Sequence, residues 1–269
     1  MTLLPLSKHC SAISNILMEI ENDHDWIGVH DWLLVASSIM SIKVDTIQHN
    51  PNFGWCCHGD EFDEAREVLL EKFVKSLTIF GFAWGALEAV IDAICPPPHP
   101  DKSKRGKIGN ACNFLKQAFH TRGYVLGLEE EIDNFRSLAR QCIGYESVEK
   151  RLKNAGSVGV PGIGLYTVYE LRNLFAHGSL AFPFPNEDNR PISEHSDMVA
   201  HATRIVLLQL QMLLLAHFGE SEEPITVLEA AHPFPWSTGT TLWKALRSCH
   251  LEIAEDPRQL SLFDTNIQG

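Results

Sequence analysis

Apolar residues recur at three- and four-residue intervals along most of the chain. From Phe62 to Ile94 the series Leu69, Leu70, Phe73, Val74, Leu77, Phe80, Trp84, Leu87, Val90 and Ile91 keeps the helical period, with Phe82 outside the stripe and widening it. This predicts one or two amphipathic helices. Cys95-Pro96-Pro97-Pro98-His99-Pro100 ends them, because proline cannot donate to the helix ladder and restricts the residue before it. Shorter helices are predicted over Gly109–His120 and over Leu128–Cys142, the second with Ile132, Phe135, Leu138 and Ala139 on one side. The glycine-rich run Ser157–Gly164 reads as a flexible loop leading into a helix from Leu165 to about Ala176, which Gly178 can cap. A long helix follows over Ser196–His217.

The N-terminal part predicts helices over Ser11–Glu21 and Trp26–Val44. After Phe218 come a Pro/Trp-rich stretch, His232–Trp236, a last helix over Thr240–Ile253 and an irregular tail. No alternation of period two, fixed-period repeat or low-complexity tract is evident. The expectation is an all-α protein, divided into an N-terminal helical segment (1–61), a helical core (62–218) and a C-terminal extension (219–269).

Composition narrows the class. At 269 residues, 45% hydrophobic and 21% charged, the chain is suited to a globular core rather than to disorder or a fibre. The stretch Ile205–Phe218 is interrupted by Gln209, Gln211 and His217 and is shorter than the roughly 20 residues that cross a bilayer. The opening MTLLPLSKHC has neither a cationic start nor a long apolar run, so a cytoplasmic protein without membrane contact is expected. Seven scattered cysteines fit reduced thiols better than a disulfide framework. The adjacent Cys56 and Cys57, followed by His58, lack the spacing and second ligand pair of a structural zinc site; two small side chains at a core edge are the simpler expectation, with no metal or other cofactor.

Charge is unevenly spread. Lys and Arg number 22 against 34 Asp and Glu, a net of −12. Residues 1–100 hold 5 basic and 14 acidic residues, a net of −9. Residues 101–124 reverse this, with Lys102, Lys104, Arg105, Lys107, Lys116 and Arg122 against Asp101 alone. Such a patch in an acidic protein can meet a polyanion while the remainder suppresses indiscriminate adhesion; charge alone fits a solvated loop after a proline stretch better. Lys102, Lys104, Arg105, Lys107 and Arg122 are the candidate RNA-backbone contacts, with His120 beside them. Trp55, Trp84 and Trp236 could stack on bases, core packing being the better assignment for Trp84. His201, Arg204 and His217 on the long helix fit helix packing better than a site.

The segment with the most chemistry is Tyr169-Glu170-Leu171-Arg172-Asn173-Leu174-Phe175-Ala176-His177-Gly178. At about 100° per residue, Asn173 and His177 share one face and Arg172 points about 140° from His177. Arg172 therefore lies near the apolar flank of Leu165 and Val168, where a permanently charged guanidinium needs an acidic or phosphate partner. His177 sits at the helix C-terminus, whose carbonyls suit an imidazole that carries a proton. A proton donor beside a phosphate-holding Arg is a phosphodiester-cleaving pair, and two chains meeting at this helix could close the angular gap.

Arg172-Asn173-Leu174-Phe175-Ala176-His177-Gly178 resembles the Arg-x4-His motif of HEPN (higher eukaryotes and prokaryotes nucleotide-binding) domains, and Trp84-Gly85-Ala86-Leu87-Glu88-Ala89-Val90 is similar to the early HEPN helix that carries an acidic residue. The resemblance covers roughly Phe62 to Phe218; where some HEPN proteins place a Tyr two positions after the His, this chain has Ser179. It implies an HEPN-like helical bundle with additional helical flanks, acting as a homodimer whose motif helices face each other across one composite cleft. It further implies a metal-independent endoribonuclease, of the toxin or anti-phage defence kind, with a bound antitoxin or regulatory protein as a further partner. Arg172 and His177 would be catalytic, Asn173 would position the phosphate or the His, and Glu88 would orient Arg172. Many HEPN domains are instead silent modules that bind RNA, nucleotide or a protein, and that reading stays open beside the enzyme.

Overall fold

The computed structural model describes residues 2–20, 26–51, 53–119, 123–143, 149, 158–186, 188, 193–228 and 237–252. Eight α-helices occupy most of these: α1 (Leu6–Glu19), α2 (Ile27–Ser38), α3 (Cys57–Ile94), α4 (Lys107–Ala118), α5 (Leu128–Cys142), α6 (Gly159–Ala176), α7 (Glu194–Phe218) and α8 (Leu242–Ser248). A two-stranded antiparallel sheet pairs β1 (Pro224–Leu228) with β2 (Ser237–Thr241), in register Pro224↔Thr241 to Leu228↔Ser237. The protein is predominantly helical.

The central element is α7. Seventeen of its residues between Ser196 and Leu215 are buried on every side of the helix, and α3, α5, α6, α1, α4 and α8 all pack on it. A helix apolar all round belongs in an interior. By length and composition α3 and α7 could each cross a bilayer; the apolar window of α7 is 89% buried within the protein, that of α3 44%. One hydrophobic cluster joins residues of all eight helices, from Cys10 and Ile13 through Phe73, Phe80 and Leu87 to Leu242 and Leu246.

Several element boundaries depart from the sequence reading. Helix α3 is a single 38-residue helix that begins at Cys57 and ends before the proline run, with Cys95 in the left-handed region at φ 49°. Helix α2 stops at Ser38 rather than Val44, and α8 ends at Ser248. The β1–β2 hairpin was not anticipated, because five-residue strands are too short for a periodic signal. The Pro/Trp-rich stretch His232–Trp236 and the tail from Ile253 lie outside the described residues.

The glycine-rich run is the largest correction: α6 starts at Gly159 and includes Val160-Pro161-Gly162-Ile163-Gly164. Pro161 falls in the first turn, where its missing N–H has no helical acceptor to lose. The glycines serve close packing. A Cβ at Gly162 would lie 2.8 Å from the Cys112 Cβ of α4, and one at Gly164 would lie 3.0 Å from Ile205 of α7 and 3.1 Å from Ile132 of α5. Cys112 also donates its thiol to Gly162 O at 3.4 Å.

Helix α1, the residues before it and α8 are fastened to α7 by a buried polar chain. Arg204 donates from Nη1 to His9 Nδ1 (2.8 Å) and from Nη2 to Leu4 O. His9 Nδ1 is thereby an acceptor, so Nε2 carries the proton and donates to Gln211 Oε1 (3.1 Å). Gln211 Nε2 donates to Leu246 O and to His250 Nδ1 (2.9 Å), which leaves His250 Nε2 to donate to Leu126 O (3.1 Å). Every donor in this chain meets an acceptor only if both imidazoles are neutral. Burial, reinforced by Arg204, holds His9 well below the ordinary histidine value, and burial pushes His250 down to about 4. Leu4 N to His250 O (2.9 Å) and Glu252 N to Thr2 O (2.8 Å) tie the segment before α1 directly to the one after α8.

Candidate functional site

Helix α6 ends in a turn that the backbone completes by itself. Gly178, at φ 66°, donates to Phe175 O (3.1 Å) and Ser179 donates to Leu174 O (2.8 Å), the paired bonds of a Schellman motif. The last carbonyls thus find partners without the His177 side chain. The imidazole is exposed and, among the described residues, makes no hydrogen bond or ion pair. Asn173, one turn earlier, likewise has a free carboxamide among the described residues.

Both side chains line a shallow, wide-open cleft of about 330 Å³, together with Tyr169, Glu170, Leu174 and Ser179. Tyr169, Asn173 and His177 follow one another at four-residue intervals along α6, so one helix face builds most of this wall. The sequence reading had singled out Asn173 and His177 but not Tyr169, although the same spacing includes it; Ser179 is brought in by the turn at Gly178. Phe175, 45% exposed, does not line the cleft.

Arg172 lies on another side of the helix and does not line the cleft. Its Nη2 is 3.7 Å from Glu88 Oε1 on α3, with both side chains 35% exposed. The same Glu88 oxygen accepts a hydrogen bond from Trp84 Nε1 (2.8 Å), and the Trp84 ring stacks on Tyr169 with centroids 6.0 Å apart at 23°. Trp84 is 5% exposed and packs in the core, as its place in the α3 stripe predicts. A connected set, Arg172–Glu88–Trp84–Tyr169, therefore links the guanidinium to the cleft wall. Leu165 and Val168, beside Arg172, are fully buried.

The basic segment is exposed but mostly occupied. Lys104 pairs with Asp101 (3.5 Å), Lys107 with Asp92 (2.6 Å), and Arg105 donates to His99 O (3.0 Å). Lys102 stands at the start of a 3-10 turn that Asp101 caps through Ser103 N. None of the four lines the cleft. Arg122 and His120 lie outside the described residues, as does Trp236.

Other candidates resolve as packing. His201 meets Glu131 of α5 at 2.6 Å, Arg204 belongs to the buried polar chain, and the His217 ring lies against Trp26 and Phe218. Cys56 and Cys57 are exposed rather than at a core edge, because the N-terminus of α3 stands clear of the bundle; Trp55 beside them is 86% exposed. All seven cysteines are free, and among the described residues no three His, Cys, Asp or Glu are grouped to hold a metal ion. No family model, curated protein or solved structure matches this chain.

Proposed function

We propose that this chain is a metal-independent endoribonuclease of the HEPN type, a cytoplasmic toxin or anti-phage defence effector that cleaves RNA at a site completed by two copies of the chain. The observation that carries this reading is the cleft: His177 and Asn173 face it with uncommitted side chains, and the backbone caps the helix without them. A residue kept only for capping would be engaged with the helix carbonyls.

The chemistry asks for two functions. A cation must hold the phosphate as charge builds on its oxygens, and a positioned side chain must deliver a proton to the leaving oxygen. Arg172 supplies the first, with Glu88 and Trp84 fixing the direction of its guanidinium. His177 supplies the second, with Asn173 beside it to donate to a phosphate oxygen. The RNA 2′-hydroxyl gives its proton to a solvent water as its oxygen bonds to the adjacent phosphorus. The P–O5′ bond breaks, and His177 protonates the departing oxygen, leaving a 2′,3′-cyclic phosphate and a 5′-hydroxyl. DNA lacks the attacking hydroxyl and is not a substrate.

In one chain the two groups diverge around α6, so the reading requires Arg172 of one copy to approach His177 of the other. Incubating RNA in EDTA with wild-type protein, Arg172→Ala or His177→Ala tests the assignment: cleavage by the wild type alone is expected, and equal cleavage by either variant refutes it. Mixing the two inactive variants tests the geometry. Random exchange makes half the dimers mixed, each with one intact composite site, so about a quarter of wild-type activity returns. No recovery, with dimer exchange demonstrated, would place both residues in one chain.

A further inference from the structure

The proposed chemistry uses Arg172, Asn173 and His177 and leaves the one aromatic ring of the cleft without a role. Tyr169 lines the wall about two turns before His177, and its side chain is half-buried. On the inner side it stacks on Trp84, centroids 6.0 Å apart at 23°. Trp84 is itself fixed, buried in the core and donating from Nε1 to Glu88 Oε1 at 2.8 Å. The Tyr169 ring is thus backed by an immobilised aromatic, and the part of it that Trp84 leaves uncovered belongs to the cleft wall. A π-surface already held in one orientation loses little freedom when another flat ring is laid on it.

The shape and charge of the cleft select that second ring. Sites for free small molecules are concave and enclose most of the ligand, whereas this cleft is shallow and wide-open. A free nucleotide is therefore poorly held. A base delivered by a strand that is anchored at other points needs no such enclosure, because its local concentration is already high. Among the described residues no Lys or Arg lines the cleft, and Glu170 puts a carboxylate next to Tyr169. This end of the wall repels phosphate and leaves the uncharged base as the part of a nucleotide that fits. Stacking accepts any base whose face is free, which a duplex does not offer.

We propose that Tyr169 is a stacking platform for one unpaired base of an RNA strand, so that the chain takes single strands and loops rather than duplexes. The inference rests on the reading of RNA as the substrate, and not on cleavage itself. The test therefore measures binding apart from cleavage. A fluorescein-labelled 2′-O-methyl RNA octamer, whose attacking hydroxyl is blocked, is titrated with the full chain at low salt and followed by anisotropy; the same strand without its bases is the comparison. The wild type is expected to bind the intact strand about tenfold or more tightly than the abasic one. In Tyr169→Leu, which keeps an apolar filler against Trp84, that ratio falls toward one, and Tyr169→Phe retains it. Far-UV circular dichroism confirms that both variants fold. A substitution that merely distorts the cleft weakens both strands alike, so an unchanged ratio in Tyr169→Leu overturns the proposal. So does a wild type that binds neither strand, or that binds the octamer in a duplex as tightly as alone. Cleavage of unmodified RNA in EDTA is read on the same proteins: cleavage without base dependence removes the platform and keeps the nuclease, and base dependence without cleavage does the reverse.

Discussion

The buried chain Arg204–His9–Gln211–His250 makes a quantitative prediction about stability and pH. Its bonds require neutral imidazoles: protonating His9 Nδ1 would set N–H against the Arg204 donor, and protonating His250 Nδ1 would set it against Gln211 Nε2. Both histidines are fully buried, and both titrate below the ordinary value, His250 at about 4. In the unfolded chain each titrates near 6.5. Above that value neither state binds the proton, and the network's contribution is fully present. Below it the unfolded chain takes up protons that the folded chain refuses, so stability falls with pH. The slope is about 1.4 kcal/mol per pH unit for each histidine. For His250, running from about 6.5 to the folded value of about 4, the loss totals about 3 kcal/mol.

The perturbation is His250→Gln. Its amide can accept from Gln211 and donate toward Leu126 O, as the imidazole does, but it does not titrate. Urea unfolding followed by circular dichroism, at several pH values between about 5 and 7.5, gives each protein's dependence of stability on pH. The variant is expected to be less stable at neutral pH because its packing differs, with a slope below pH 6.5 that is shallower by about 1.4 kcal/mol per unit. Contributions common to both proteins, including the His195 imidazole that burial also holds down, cancel in the difference. Parallel slopes would mean that His250 binds a proton in the folded protein as easily as in the unfolded one, and the neutral-relay reasoning would fall.

Three further substitutions probe the site and its support. Glu88→Gln keeps an acceptor for Trp84 but removes the carboxylate from Arg172; with both partners part-exposed, stability should change by less than about 1 kcal/mol, while on the proposed reading RNA cleavage in EDTA falls several-fold. A large loss of stability with unaltered cleavage would make Glu88 a packing residue. Gly162→Ala places a methyl 2.8 Å from the Cys112 Cβ and 3.1 Å from its Cα, atoms that cannot swing aside, and should destabilise by about 1–3 kcal/mol in urea unfolding. At Gly81, in the middle of α3, nothing lies within 4 Å, so Ala there should stabilise by about 0.5–1 kcal/mol; the same sign at both positions would refute the close-packing account.

Where side-chain pattern alone governed the local structure, the sequence was readable. The limits Leu128–Cys142 of α5 could be placed from periodicity, and the Ala176 end of α6 from periodicity together with Gly178, which has a positive φ. The start of α6 could not, because Gly162 and Gly164 carry the composition of a loop but occupy places where α4, α5 and α7 leave no room for a Cβ. That demand comes from the tertiary structure and leaves no local trace. The buried relay was hidden for a similar reason: His9, Arg204, Gln211 and His250 are up to 241 positions apart in sequence, and only folding makes them neighbours. The candidate site falls between these cases. Helical geometry placed Asn173 and His177 on one face, but the ion pairs that engage Lys104 and Lys107 depend on Asp101 and on α3, so a run of positive residues overstated the charge free to meet a polyanion.

The divergence of Arg172 and His177 bears most on how such a site could work. Their five-residue separation on a continuous α-helix fixes the angle between them at about 140°, and side-chain rotation cannot cancel it without breaking the Glu88 contact. On the proposed reading the single chain is therefore inactive by geometry: its phosphate clamp is held toward α3 and its proton donor toward the open cleft. Activity then depends on the concentration of a second copy rather than on a rearrangement within one. The net charge of −12 acts in the same direction, since it opposes both loose association and indiscriminate adhesion to RNA. A nuclease built this way is restrained until two copies meet with Arg172 and His177 in register, and dilution below the dimer dissociation constant should silence it without any inhibitor.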